Sequence, residues 1–315
     1  MKFREIDLSR VRTYTLASRP SKVEAQSLGR PVPVGASVAE LLASLPDLLA
    51  ARELREAASE LARRWRAGGR ILLGMGAHPI KVGLSPLIVD LMEQGVLAAV
   101  AMNGAGIVHD FELALAGHTS EEVAEQLADG SSGMAEETGR FLNEAAGEGA
   151  EAAVGLGEAV GRKIVAGALP HARLSILAAG ARLGVPVTVH VALGTDIVHM
   201  HPSADGAAIG ETSLRDFRVL AEQVGGLEGG AFVNLGSAVI LPEVFLKALS
   251  LARNVGRTVD DILTLDMDFN RHYRPLTNVV ARPTLRGGRG IHLTGHHEIM
   301  FPLLCAALRE EIDRP

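Results

Sequence analysis

The sequence predicts an α/β fold: a doubly wound, mostly parallel sheet with helices on both faces. Short apolar runs alternate with longer helical patterns along most of its 315 residues. Such alternation is typical of parallel strands, which need a crossover connection between them. The runs are almost continuously apolar, as expected for strands that are covered on both faces.

Composition narrows the class of protein. The chain is 47% hydrophobic and 22% charged, which is typical of a globular protein. No apolar run approaches the roughly 18–20 residues that span a bilayer, and charges scattered through the first 16 residues argue against a secretory signal. We therefore expect a cytoplasmic protein without membrane contact. The single cysteine, Cys305, excludes an internal disulfide. A net charge of −6 and 3% aromatic residues argue against nucleic-acid binding.

The elements follow one another in a regular order. About 36 residues with several prolines come first, predicted to wrap the domain or a neighbouring subunit, and residues 37–67 then show helical spacing. Six predicted strands and their loops follow: "RILLGMGAHP", "LAAVAMNGAGIVHD", "PVTVHVALGTD", "GAFVNLGSAVILP", "DILTLDMDFN" and "GIHLTGHHE". Residues 119–171, rich in Ala, Glu and Gly, predict a helical excursion beside the sheet. Residues 1–315 are thus expected to form one domain.

The polar residues concentrate where the predicted strands end. Ligands of open parallel sheets bind outside the carboxyl ends of the strands. Seven of the eleven histidines lie in these loops: His78, His109, His199, His201, His272, His296 and His297. The acids there are Asp110, Asp196, Glu243, Asp266, Asp268 and Glu298. The sequence therefore predicts a functional site at this edge of the sheet.

Four of these loops together resemble the deoxyhypusine synthase family. The resemblance covers roughly residues 70–310 and rests on the order of "RILLGMGAHP", "NGAGIVHD", the Thr-Asp end of "PVTVHVALGTD", "NLGSAVILPEVFLKALSLARN" and "GIHLTGHHEIMFPLL". It implies a Rossmann-like NAD-binding fold and a homotetramer with sites at subunit interfaces. A shorter segment, "GIVHDFE" followed by Gly-His-Thr-Ser, is similar to the NAD-dependent domain of archaeal-type ornithine cyclodeaminases.

The resemblance implies a set of ligand-binding residues. The cofactor residues that it places in this chain are Gly76, Ala77, Asn103, Gly104, Gly106, Asp110, Asp196 and Asp268. His109 lies beside Asp110, near the acidic pair of the family, and is expected to contact substrate, as are His201 and Arg274. An arginine suits a carboxylate or phosphate, and equally an acid across a subunit interface.

One departure from the family changes the expected chemistry. The family forms an imine on a lysine before its last strand, where this chain reads "NVVARPTLRGG" and has no lysine. Arginine cannot form that imine. We therefore expect an NAD-dependent enzyme, but not a true deoxyhypusine synthase, that acts on a small amine, polyamine or amino acid by hydride transfer without a lysine imine.

Three residues are candidates to accept the substrate proton. Glu243 falls where the family has its active-site histidine, and His296 and His199 lie in strand-end loops. Each has a simpler interpretation: Glu243 begins a helix and pairs with Lys247 four residues later, one of His296 and His297 faces the core, and His199 holds a loop.

Two other functions stay open at this stage. The Asp196, His199 and His201 loop has a His-x-His spacing that could hold a metal in a hydrolase or lyase, although we assign no metal ligand. A non-catalytic NAD-binding relative is the other alternative, and the density of strand-end acids and histidines argues against it.

Overall fold

The structure, a computed structural model, describes residues 3–313. Six strands form one sheet in which every neighbouring pair is parallel. The strands are β1 (Ile71–Met75), β2 (Leu97–Asn103), β3 (Val187–His190), β4 (Ala231–Leu235), β5 (Leu263–Asp268) and β6 (Arg289–Thr294). Their order across the sheet is β3-β2-β1-β4-β5-β6. This order is that of doubly wound dinucleotide-binding folds, so the predicted fold class is confirmed.

Helices connect the strands. Those before β3 are α1 (Val38–Ser44), α2 (Leu49–Arg66), α3 (His78–Lys81), α4 (Ser85–Glu93), α5 (Gly104–Ala116), α6 (Val123–Gln126), α7 (Glu136–Glu151), α8 (Leu156–Ala166) and α9 (Ile176–Leu183). Those after β3 are α10 (Gly206–Gly225), α11 (Ile240–Asn254), α12 (Tyr273–Pro275) and α13 (His297–Ile312). A π-helical turn, Leu276–Ala281, follows α12.

The two faces of the sheet carry separate cores. On one face Leu73, Val233 and Leu265 pack under α2, α4, α5 and α13, in a core that also takes in α7, α8 and α9. On the other face Leu72 and Phe232 pack under α10 and α11. The rings of Phe232 and Phe245 stack there with centroids 3.8 Å apart. Helices on both faces explain the unbroken apolar runs of the strands.

The edge strand β3 is covered by α10. Asp216 Oδ2 accepts hydrogen bonds from Val189 N at 2.8 Å and from Gly157 N at 2.9 Å, at the start of α8. Ser213 bonds to the backbone of the same strand. Burial raises the pKa of Asp216 to about 7. These bonds occupy backbone groups that an open sheet edge leaves unpaired.

Residues 3–36 lie largely outside this body, whereas α1 and α2 pack on α13. The helical spacing of residues 37–67 becomes two helices, α1 and α2, separated by a turn that contains Pro46. Almost every side chain of residues 3–36 is exposed, and their regular structure is limited to three 3₁₀ turns. Within residues 3–313, no helix has the length and apolar character that a membrane span requires.

Candidate functional site

The carboxyl ends of β1 and β4 meet at the centre of the sheet. Gly76 N donates to Leu235 O at 3.1 Å. A Cβ at position 76 would lie 2.3 Å from Gly236 O, so only glycine permits this approach. Strand order reverses between β1 and β4, which is where ligands bind in open α/β sheets. Ala77 is the next residue and precedes α3.

Asp196, in the loop after β3, packs against the start of α5. A Cβ at Gly104 would lie 1.9 Å from Asp196 Oδ2, so the carboxylate occupies the space that a side chain would fill. The Asp196 side chain is 5% exposed. Oδ2 is buried and has no hydrogen-bond partner within residues 3–313. Burial raises the pKa of Asp196. A buried oxygen without a donor is costly, so this atom is ready for a ligand.

His199 positions Asp196. Its Nδ1 accepts hydrogen bonds from Gly194 N at 3.1 Å and from Asp196 N at 3.4 Å. In the neutral ring the proton is therefore on Nε2, which lies 4.0 Å from Asp196 Oδ2. With one ring nitrogen bonded to backbone and the other turned to the carboxylate, His199 is placed to orient Asp196.

Asn103, Gly106 and Asp110 have local structural roles. Asn103 Oδ1 caps α5 by accepting from Gly106 N at 3.1 Å. Gly106 itself packs on the Met102 side chain. Asp110 is 0% exposed and caps α9, accepting from Ile176 N at 2.7 Å and from the Ser175 hydroxyl. Its burial raises its pKa to about 6. Asp110 is therefore enclosed, and we leave it out of the proposed ligand site.

A groove of about 1100 Å³ opens beside α5. Its lining includes Lys81, His109, Glu112 and Asp196. Much of the remaining lining comes from residues 118–139, which we call the roof. Asp196 and His109 were predicted from two separate strand-end loops, and both line this groove.

His109 takes part in a hydrogen-bonded chain along the groove wall. Thr119 donates its hydroxyl proton to Glu112, whose other oxygen accepts from Thr138 at 3.0 Å. Thr119 Oγ1 can then only accept from His109 Nδ1, 2.7 Å away. The neutral imidazole is thus protonated on Nδ1, which leaves the Nε2 lone pair for a ligand. Burial lowers the pKa of His109, so the ring is neutral at pH 7.

A second group of residues lies at the ends of β5 and β6. Asp268 is buried, with Oδ1 at 4.0 Å from His297 Nε2. His297 is 1% exposed, and its Nδ1 has no partner within residues 3–313. The His297 ring packs on Gly236 and contacts His78, with ring centroids 5.2 Å apart. His296, the predicted catalytic residue, is instead 70% exposed, whereas His297 is buried against residues that follow β1 and β4.

Glu243 and Arg274, predicted to act on the substrate, instead form an ion pair with each other. Arg274 Nε lies 3.3 Å from Glu243 Oε1, which also accepts from Asn278 at 2.9 Å. Lys247 bonds to the other carboxylate oxygen, so the predicted helical pair is confirmed. The Lys247 hydrogen bond is the main reason that the pKa of Glu243 is lowered. A carboxylate held ionised by two cations is a weak proton acceptor.

A polar row across three strands was not predicted from the sequence. Asn234, Asp266 and His292 occupy neighbouring register positions on β4, β5 and β6. Asp266 Oδ1 accepts from Asn234 at 2.7 Å, and its Oδ2 accepts from His292 Nδ1 at 2.7 Å. His292 Nε2 lies 2.9 Å from the Thr294 hydroxyl. The sequence did carry a signal for this row, because each of the three residues is a polar residue flanked by apolar residues in its strand.

The predicted His-x-His pair does not converge on one point. His201 Nε2 donates to Gly133 O at 2.9 Å and so ties the loop after β3 to the roof. His199 Nδ1 is bonded to backbone, as described above. In the part of the chain that the structure describes, no three His, Cys, Asp or Glu side chains are grouped as metal ligands. The geometry therefore gives no support to a metal-dependent hydrolase.

Comparisons with known proteins show the fold and no closer relationship. No family model matches the sequence. No curated protein matches it either. Among solved structures, a Methanococcus maripaludis S2 protein described as a conserved LOR/SDH protein has a TM-score of 0.54 at 16% identity, over 84% of this chain and 71% of its own. An Entamoeba histolytica protein described as a deoxyhypusine synthase has a TM-score of 0.53 at 14% identity, over 91% and 98%.

Two longer proteins share the same fold. ArgZ, an arginine dihydrolase of the ornithine-ammonia cycle in cyanobacteria, has a TM-score of 0.53 at 17% identity over 83% of this chain. AgrE, solved with ornithine and NAD⁺, has a TM-score of 0.53 at 14% identity over 82%. This chain spans only 32% of ArgZ and 33% of AgrE. The sequence resemblance to deoxyhypusine synthases therefore extends to the fold.

Proposed function

We propose that this protein is an NAD-dependent enzyme that oxidises a small amine, polyamine or amino acid by hydride transfer, without a lysine imine. The observation that carries the proposal is Asp196 Oδ2, a buried acceptor without a donor among the described residues, on a side chain that lines the groove. In dinucleotide-binding folds, a carboxylate near the strand ends accepts a hydrogen bond from a ribose hydroxyl. The complex of AgrE with ornithine and NAD⁺ supports this choice of ligands on the same fold.

The residues present fit such a cofactor. Gly76 and Gly104 let the strand-end loops pack closely around the site, because the space that a side chain would fill is taken by Gly236 O at one position and by the Asp196 carboxylate at the other. Asp196 would accept from the ribose, held in place by His199. Ala77, Asn103, Gly106 and Asp268 stay predicted cofactor residues, and the homotetramer stays a predicted assembly.

The chain must also remove a proton. Oxidation of an amine to an imine releases one hydride and one proton, and bound NAD would accept the hydride. His109 is the group in the groove suited to the proton, because it is neutral at pH 7 and its Nε2 lone pair is not used by Thr119. Glu112 and Thr119 keep the ring in this tautomer. His109 thus replaces Glu243, His296 and His199 as the proposed proton acceptor.

The proposal is tested by incubating the protein with NAD⁺ and, in turn, putrescine, spermidine, ornithine, lysine and arginine. Reduced nicotinamide is followed by absorbance, and products by mass spectrometry, because a cycle that returns the hydride gives no net absorbance. We expect turnover of at least one amine, and a loss of about 10²–10⁴-fold in kcat for His109→Gln. His118→Gln, in the roof of the same groove, is the matched control and should stay within a few fold. Absence of both NAD binding and turnover would refute the proposal.

A further inference from the structure

The polar row of Asn234, Asp266 and His292 leads to an exposed hydroxyl group. Asn234 and Asp266 are 0% exposed, the His292 side chain is 7% exposed, and Thr294 at the end of β6 is exposed. His292 and Thr294 are two residues apart on one strand, so their side chains lie on the same face of the sheet. Because β6 is the outermost strand in the order of the sheet, the row runs from the interior to the surface.

The hydrogen bonds of the row fix where its protons lie. Asp266 Oδ1 accepts from the Asn234 amide, which donates its second proton to Ser237 O at 2.9 Å. A carboxylate can only accept, so His292 donates from Nδ1 to Asp266 Oδ2. In the neutral ring Nε2 then carries a lone pair, and the Thr294 hydroxyl, 2.9 Å away, donates to it. The Thr294 proton is therefore directed at a base that a buried acid orients.

Asp266 differs from other buried acids of this chain in what it binds. Asp110 accepts from Ile176 N at a helix start, and Asp216 accepts from two backbone N–H groups beside β3. Within residues 3–313, both hydrogen bonds of Asp266 come from side chains. Burying a carboxylate is costly, and here the cost does not satisfy a helix end or a sheet edge. What the buried Asp266 carboxylate does is orient His292.

We propose that Asp266, His292 and Thr294 form a second site, which transfers acyl groups from esters. The order of acid, imidazole and hydroxyl is the one that activates a hydroxyl nucleophile. Thr294 Oγ1 forms a bond to the acyl carbon, and the bond from that carbon to the leaving alcohol breaks. The hydroxyl proton passes to His292 Nε2 and then to the leaving oxygen. Water, deprotonated by His292, releases the carboxylic acid and restores Thr294.

This chemistry is independent of the proposed amine oxidation. Nothing is oxidised or reduced in the hydrolysis of an ester, so NAD takes no part in it. The three side chains are also absent from the lining of the groove that contains His109 and Asp196. Loss of one activity therefore leaves the other in place.

Aromatic rings at the same strand ends indicate the class of ester. Thr294 is paired in register with Asp268, and the next residue, Phe269, is 44% exposed. The Phe269 ring lies nearly parallel to that of His296, at an interplanar angle of 6° and with centroids 6.2 Å apart. Such rings offer an apolar surface to part of a substrate. We therefore expect an ester with an apolar acyl or alcohol portion.

Acetylation by p-nitrophenyl acetate tests the nucleophile. The full chain is incubated with the ester without NAD⁺, quenched with acid after a short time, and digested for mass spectrometry. We expect an acetyl ester on Thr294, and far less on Thr258, an exposed threonine outside the row. His292→Gln should slow acetylation of Thr294 about 10²-fold or more, whereas His118→Gln, at an exposed histidine, should not change it.

Two substitutions of Thr294 complete this test. Thr294→Ser should be acetylated at the same position, because it keeps the hydroxyl group. Thr294→Val, which is exposed and similar in shape, should remove the acetyl group without changing the circular dichroism spectrum or the oxidation of amines with NAD⁺. An unmodified Thr294 in the wild type, or equal acetylation of Thr294 in His292→Gln, would overturn the proposal.

Asp266 is a positioning residue, and proton NMR tests its role. A ring N–H bonded to a carboxylate gives a strongly deshielded resonance, which we expect in the wild type and in Thr294→Val and not in His292→Gln. In Asp266→Asn the resonance should move upfield, because a neutral acceptor makes a weaker hydrogen bond, and acetylation of Thr294 should slow. An unchanged resonance and an unchanged acetylation rate in Asp266→Asn would show that the buried acid does not orient His292.

Discussion

Asp196 Oδ2 lies where a side chain at position 104 would be, 1.9 Å from the Cβ that any residue other than glycine would place there. The start of α5 and the loop after β3 therefore pack tightly against each other at these two residues. The glycine lets a carboxylate be buried at the strand ends, and nothing within residues 3–313 donates to its Oδ2 atom.

Gly104→Ala should displace Asp196 and abolish NAD binding. Because the new methyl group would overlap a buried carboxylate, we also expect a loss of about 1–3 kcal/mol in the free energy of unfolding. Calorimetric NAD titration and urea unfolding measure the two effects. Gly147→Ala in α7 is the control, because its Cβ meets nothing within 4 Å, and it should stabilise the protein by about 0.5–1 kcal/mol. Wild-type NAD affinity in Gly104→Ala would be the contrary result.

The pH dependence of kcat/KM should follow His109 and shift in opposite directions in two variants. The negative charge of Glu112 raises the pKa of His109, and the positive charge of Lys81 lowers it. Glu112→Gln should therefore move the acidic limb to lower pH, and Lys81→Met to higher pH. Glu125→Gln is the control and should leave the limb in place. Shifts of the same sign in both variants would remove His109 as the proton acceptor.

Asp216 should make the protein less stable as pH rises. Its pKa is about 7 when folded and 3.8 when unfolded, so the folded state holds the proton more tightly. Its contribution is complete below pH 3.8 and is lost as pH rises to about 7, at most about 4 kcal/mol. Asp216→Asn should flatten this dependence between pH 4 and pH 8 in urea unfolding, because an amide oxygen can keep both bonds from Gly157 and Val189. Asp216→Ala should cost about 1–3 kcal/mol at pH 4, where the wild-type contribution is largest, and less at pH 8. An unchanged slope in Asp216→Asn would contradict the assignment.

Glu243→Gln should have little effect on turnover. The carboxylate is 35% exposed and paired with Lys247 and Arg274, so its loss removes a surface ion pair worth about 0–1 kcal/mol. We expect kcat within a few fold of wild type in the amine assay. A loss of a hundredfold or more would restore Glu243 as a catalytic candidate.

The fold could be predicted from the sequence because its signals are local. Apolar strand runs such as "ILLGM" and "AFVNL", each followed by a helical pattern, leave few alternatives to a parallel α/β sheet. The number of helices in residues 37–67 could not be predicted. The apolar spacing there is continuous, but Pro46 separates it into two helices.

The sequence predicted where the site lies, but not the role of each residue in it. The strand ends identified Asp196 and His109, but the sequence could not show that Asp110 caps α9, that His296 faces solvent while His297 is buried, or that Glu243 is held by two cations. Each of these outcomes depends on contacts between residues distant in the chain. The Glu112 and Thr119 chain was missed for the same reason, since only the folded roof brings Thr119 to His109.

The most direct test of the account is the affinity of NAD⁺ for Asp196→Asn, measured by calorimetric titration beside the wild type. Asp205→Asn, a substitution of an exposed helix cap a few residues later, is the matched control. We expect Kd to rise at least tenfold, about 1.4 kcal/mol, in Asp196→Asn and to stay unchanged in Asp205→Asn. Equal NAD⁺ affinity in all three proteins would contradict the central claim that the unpaired carboxylate oxygen holds the cofactor.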